Sequence, residues 1–313
     1  MDTERKTRIG VLMTIIGGCL WGFSGACGQY LFEYQGVTAK WLVPVRLVTA
    51  GAMMLLFFIV RDGKKAFRIW KKWRNAVDIL VYGIAGMMLC QFTYFATIEM
   101  SNAGTATVLQ YIAPVIIMIL VCGMEKRGPR PAELAALILA VAGIFFIATH
   151  GNIRQLAVSP EALTMGLISA CTVVIYNLQP KNLLVQFPAA YLLAWAMLIG
   201  GIVLSLLFRP WQYSVEISAG LLIPMAAIII LGTMVAFSLY MTGVRLIGPS
   251  RASLYACVEP IAATALSAIW LKVPFAAVDL AGFAMIIATI LILAAEDMKK
   301  QKNGQEQKEQ GKK

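Results

Sequence analysis

Charge is scarce in this sequence. Asp, Glu, Lys and Arg make up 14% of its 313 residues, against about 25% in soluble domains. Histidine is nearly missing: His150 stands alone, at the end of an apolar run. No HExxH, GxSxG or Walker A pattern occurs, so the common zinc-protease, serine-hydrolase and nucleotide-hydrolysing sites have no residues to build on. Cys19, Cys27, Cys90, Cys122, Cys171 and Cys257 all lie in apolar stretches without a CxxC pair. That spacing suits small buried thiols rather than a disulfide framework or a zinc site. An enzyme is not expected, and neither a cofactor nor a metal is implied.

What the chain has in quantity is apolar length. Apolar residues reach 59% and mean hydropathy is +0.75, the composition of an all-α integral membrane protein. Ten runs come near the ~20 residues a bilayer requires: 9–32, 39–60, 76–100, 103–124, 131–149, 161–179, 188–208, 219–244, 249–271 and 274–295. The first exceeds a signal peptide's apolar core of about 7–15 residues and reads as an uncleaved helix. Residues 1–8 form a polar N-terminus, 150–160 an external linker, and 296–313 a Lys/Gln/Glu-rich tail expected to be disordered.

The net charge of +11 could suggest nucleic acid, but the basic residues cluster in short loops and at the termini, and no nucleic-acid-binding module is visible. With the N-terminus inside, 22 Lys and Arg fall on the cytoplasmic side, and only Lys40, Arg154, Arg209 and Lys272 outside. Arg46 lies within a span. This bias places both termini in the cytoplasm. The basic segment 61–74, with Trp70 and Trp73, reads as an interfacial stretch on anionic lipid. Glu125, Lys126, Arg127 and Arg130 read as a solvated turn.

Two stretches share a pattern. Residues 104–119, GTATVLQYIAPVIIMI, are echoed at 250–265, SRASLYACVEPIAATA, 146 residues later. At that offset Gly86 falls on Gly232, Tyr94 on Tyr240, Pro114 on Pro260, Lys126 on Lys272 and Glu133 on Asp279. Proline inside a helix removes a hydrogen bond and frees the carbonyl four residues earlier, here those of Gln110 and Ala256. Equivalent helices are five spans apart, an odd number, so the halves (9–149 and 161–295) run oppositely as a 5+5 inverted repeat. Each proline is about eleven residues into its helix, roughly 16 Å. The two therefore meet near the midplane, where transporters of this construction bind substrate. They are the candidate hinges.

These residues resemble the drug/metabolite transporter superfamily, and specifically its EamA-type permeases. The resemblance is carried by Leu20-Trp21-Gly22, Arg46-Leu47, Tyr94-Phe95-Ala96, the LQYIAPV run at 109–115 and Cys257-Val-Glu-Pro260. It implies ten helices around a central cavity, alternating access, and substrates such as amino acids, sugars or nucleotide derivatives. It also implies export. Small four-helix relatives couple drug efflux to protons through a deep glutamate in helix one. Here helix one has only Glu33, at its outer end.

Candidate substrate-binding residues follow from depth and chemistry. Glu259 is the one acidic residue near a bilayer centre, where charge is costly and marks function; it reads either as a cavity carboxylate or proton carrier, or as a structural group at the kink. Arg46 could grip a substrate carboxylate, or else snorkel outward or pair with Glu33 or Glu99. Trp21 lies too deep for the headgroup belt, and Gln91 and Tyr94 share a helix face. Gln110 and Tyr111 flank Pro114, and Tyr176 and Asn177 stand on helix six. Interhelical hydrogen bonding is the ordinary alternative for all of these. The sequence thus points to a multi-pass plasma-membrane transporter, of bacterial type, for a small polar metabolite, with an amino-acid-like compound the first choice. Import of a sugar or quaternary amine is the second, and a non-transporting scaffold or receptor the rival class. Its partners are the lipid bilayer and the small-molecule substrate, with coupling to protons or exchange; monomer and homodimer both remain open.

Overall fold

The computed structural model describes residues 3–149, 157–248, 252 and 255–310; His150, Arg154, Ser250 and Arg251 lie outside them. Regular structure among the described residues is entirely helical. Eight helices are long and apolar enough to cross a membrane: α1 (Glu4–Tyr34), α2 (Ala39–Lys71), α3 (Trp73–Met100), α4 (Ala103–Met124), α5 (Pro131–Thr149), α6 (Pro160–Leu184), α7 (Ala189–Phe208) and α8 (Ala219–Ile247). Two shorter apolar helices follow, α9 (Val258–Ile269) and α10, whose apolar part is Ala277–Leu293. Side chains set several of the starts. Asn102, Ser159 and Ser218 accept from the backbone N–H of Thr105, Ala162 and Leu221, the usual N-cap bond. Pro160 occupies the first helical position of α6, where its missing N–H is harmless.

The structure differs from the sequence expectations at three places. Residues 61–74 are not an open loop: α2 continues as a 3-10 helix, Gly63–Lys71. It is pinned by Tyr191 and Trp195 of α7, whose hydroxyl and indole N–H donate to the Ala66 carbonyl at 2.9 and 3.2 Å. The turn after α4 is not merely solvated, because Arg127 grips the buried Glu133 carboxylate with both terminal nitrogens, at 2.7 and 3.0 Å. The bonds to Glu133 and Glu125 hold that guanidinium well above its ordinary pKa. Finally, α10 runs on as helix to Gln310, since Glu, Lys and Gln are good helix formers even where composition argues against packing.

Features beyond sequence identity recur at the 146-residue offset. A π-helical segment interrupts α3 at Tyr82–Met88 and α8 at Ala227–Val235. Helical geometry breaks at Tyr111–Ile112 in α4 and at Cys257 before α9. Lys126 and Lys272 both take positive φ, 49° and 57°. Glu133 accepts from the Arg130 amide at 2.7 Å, and Asp279 from the Ala276 amide at 2.9 Å.

Packing repeats in the same way. The largest interfaces pair α2 with α7, α5 with α10 and α1 with α8. A Cβ on Gly51 would lie 2.5 Å from the Leu198 amide, and one on Gly201 would lie 2.6 Å from the Val48 amide. Each contact is the other with the two helices exchanged. Gly143 and Gly282 likewise face one another's carbonyls, 3.0 and 2.9 Å from the added carbon. Backbones approach this closely only over small residues.

A polar site around Arg46 and Glu259

Both sequence-marked interruptions are true breaks. Pro114 denies α4 the bond to the Gln110 carbonyl, and the helix ends there, to restart at Ala113. Tyr111, at the break, turns its hydroxyl to α9. It lies 2.8 Å from Glu259 Oε2 and 3.3 Å from the Ala256 carbonyl, the group that Pro260 frees. One phenol therefore joins the carboxylate before the second proline to the second unpaired carbonyl.

Arg46 is buried in α2. Its NH1 donates to Gln91 Oε1 at 3.0 Å, its NH2 to Thr233 Oγ1 at 3.2 Å, and its guanidinium stacks 4.7 Å from the centre of the Phe95 ring. Gln91 follows the π segment of α3 and Thr233 lies within that of α8, so the side chain ties the two interruptions together. Neither alternative partner pairs with it: Glu99 accepts from the Ala39 amide and Glu33 from Gln29. Among the described residues no carboxylate lies within 4 Å of Arg46, and its Nε is buried without a hydrogen-bond partner. A buried guanidinium without an anion is expensive, and residues that carry such a cost mark function in a membrane.

Short steps link the charges. Cys90 adjoins Gln91, and its sulfur lies 3.8 Å from Gln110 Nε2; Gln110 adjoins Tyr111 and also donates to Ser169 Oγ of α6 at 2.7 Å. Tyr94 is buried and shares a 2.7 Å bond with Thr107 of α4. Trp21 packs on Tyr240, centroids 5.1 Å apart, and Tyr176 stacks on Tyr82 at 5.5 Å. Trp21 reaches this depth because α1 lies directly on α9: a Cβ on its neighbour Gly22 would come 2.8 Å from the Glu259 carbonyl.

Asn177 does not join them. It is exposed and donates to the Val173 carbonyl of its own helix at 2.8 Å. One residue beyond Tyr176, it points about 100° away around α6. Sequence reading passed over Thr233, Ser169, Tyr82 and Tyr240 as site members. Tyr240 was visible as the image of Tyr94; the others are common residue types whose role depends on the opposing helix.

Long apolar helices, two proline breaks and buried polar groups converging between them define a multi-pass membrane transporter. Residues 8–149 and 161–295 each match the EamA-like transporter family, and the chain belongs to that family. It is 32% identical over 295 residues to YicL of Salmonella typhimurium, described as an uncharacterized inner membrane transporter, covering 94% of this chain and 98% of YicL. The uncharacterized transporter YwfM of Bacillus subtilis is 24% identical over 94% of this chain and 96% of its own length. A solved crystal structure shares the fold with TM-score 0.61 and 17% identity, covering 90% of this chain and 95% of that one.

Proposed function

We propose that this transporter moves a small zwitterionic, amino-acid-like metabolite out of the cell by alternating access, with the substrate carboxylate on Arg46 and its cationic end toward Glu259. The observation that carries the reading is Arg46, buried with no carboxylate within 4 Å among the described residues. A bound anion would supply the missing countercharge. Glu259, bonded by Tyr111 at 2.8 Å, offers the opposite charge. The recurring breaks and reciprocal helix contacts support a 5+5 inverted repeat of ten membrane helices, which rock about a fixed site. The excess of Lys and Arg on one side supports cytoplasmic termini in a plasma membrane. With no Walker A sequence, uphill movement draws on protons or exchange.

Counterflow in proteoliposomes tests this. Vesicles preloaded with one amino acid should accumulate labelled amino acid, and Arg46→Gln should lose the exchange. No counterflow with any zwitterion would overturn the assignment. Import of a quaternary amine is favoured by the Trp21–Tyr240 pair, whose faces suit a cation; choline competing better than any amino acid would establish it.

A further inference from the structure

We infer that the cleft between the 3-10 extension of α2 and the start of α7 is a binding site for the headgroup of an anionic phospholipid. It has a volume of about 220 Å³ and is lined by Phe58, Arg61, Asp62, Lys65, Arg68, Pro188 and Tyr191. Among the described residues Asp62 is the only acidic group lining it, and it accepts from Arg61 Nε and NH2 at 2.9 and 2.8 Å. The cleft therefore keeps an excess of positive charge over its own carboxylate.

Both arginines are held in place. The Arg61 guanidinium stacks 5.6 and 5.0 Å from the ring centres of Phe57 and Phe58. Arg68 lies 4.9 Å from the Phe187 ring centre and donates to the Gln186 carbonyl at 3.2 Å. The 3-10 segment that carries Lys65 and Arg68 is fixed by the Tyr191 and Trp195 bonds to Ala66. Fixed guanidiniums recognise phosphate oxygens without first losing side-chain freedom.

The surroundings commit the site to a lipid rather than a free phosphate. Leu56, Phe57 and Val60 of α2 are exposed beside the cleft, and Phe67, Trp70 and Trp73 are exposed along the basic segment. Acyl chains would lie along that apolar stretch of α2 while the phosphate enters the cleft, and the indoles would rest at headgroup level. A phosphodiester with no ammonium, such as phosphatidylglycerol, fits the charge.

The experiment uses full-length protein in mixed micelles and native mass spectrometry, with phosphatidylglycerol, phosphatidylcholine and glycerol 3-phosphate as probes. Phosphatidylglycerol should be retained over the other two. The double variant K65Q/R68Q should lose at least about tenfold more retention than K71Q/K72Q, which removes the same charge outside the cleft. Equal losses in the two doubles, near the roughly fivefold per charge of a diffuse basic surface, would overturn the site. Binding of glycerol 3-phosphate as tight as that of the lipid would overturn the lipid assignment. K65Q alone decides the matter if the double does not fold, because among the described residues the Lys65 side chain makes no hydrogen bond or ion pair. An unchanged lipid preference in K65Q then counts against the site.

Discussion

The hydroxyl of Tyr111 lies 2.8 Å from the carboxylate of Glu259, and 3.3 Å from the Ala256 carbonyl freed by Pro260. A phenol has one proton to give. With Glu259 ionised, that proton goes to the carboxylate and Ala256 loses its donor. With Glu259 protonated, the acid donates to Tyr111, and Tyr111 can satisfy Ala256. Tyr111 and Glu259 stay bonded in both states, so protonation decides whether the Ala256 carbonyl at the α9 break is tied to α4 as well. This is a physical route from one carboxylate to the relative position of two helices.

That route predicts energetic coupling. Tyr111→Phe and Glu259→Gln, alone and combined, should give a coupling free energy of about 1 kcal/mol in thermal unfolding, within the range found for hydrogen bonds between membrane helices. Additive effects would show that the contact does not link the helices. In transport, Glu259→Gln should remove the pH dependence of the rate, and an unchanged pH profile would exclude proton coupling through this residue.

Arg46 allows function to be separated from stability. A structural arginine, once replaced, leaves a carboxylate unpaired, at a cost of about 3–5 kcal/mol. Here no carboxylate among the described residues is left behind. Arg46→Met should therefore keep stability within about 1 kcal/mol of the parent, the lost bonds to Gln91 and Thr233 being offset by relief of charge burial. Transport should fall at least about tenfold. A large stability loss with residual transport would reverse the assignment.

The recurrence at the 146-residue offset was legible in the sequence because its marks are residue types with few other uses at those positions. Pro114 and Pro260, Lys126 and Lys272, and Glu133 and Asp279 each carry the same local job in both halves. The π segments were not legible. YGIAGMM at Tyr82–Met88 and AIIILGTMV at Ala227–Val235 have ordinary apolar composition, and the extra residue per turn is set by packing. The partners of Arg46 stayed hidden for a similar reason: Gln91 and Thr233 lie 45 and 187 residues away. Depth alone could mark the arginine as costly, but only the neighbouring helices reveal that no anion accompanies it.

The glycines offer a test of the packing itself. A Cβ at Gly51 would meet the Leu198 amide at 2.5 Å, and one at Gly22 would meet the Ala263 amide at 2.7 Å. Backbone cannot step aside as a side chain can, so Gly51→Ala and Gly22→Ala should each destabilise by about 1–3 kcal/mol. Gly123, in α4, has nothing within 4 Å of an added carbon. Gly123→Ala should stabilise by about 0.5–1 kcal/mol through backbone entropy alone. Thermal unfolding in one detergent measures all three, and a stabilised Gly51→Ala would contradict the close α2–α7 approach.

An inverted repeat has its own testable consequence. Lys71 ends α2 at its turn into α3, and Trp211 lies in the turn between α7 and α8. These turns are equivalent in the two halves and five spans apart. If the repeat is inverted they open on opposite sides of the membrane. With the six native cysteines replaced, an impermeant maleimide added to intact cells should label Trp211→Cys, which is exposed, and leave Lys71→Cys untouched until the cells are broken. The reverse pattern would keep the inversion but move the termini outside. Labelling of both from the same side would require an even number of crossings between them. The two proline breaks would then enter the bilayer from one face, and the symmetric site at mid-depth would be lost.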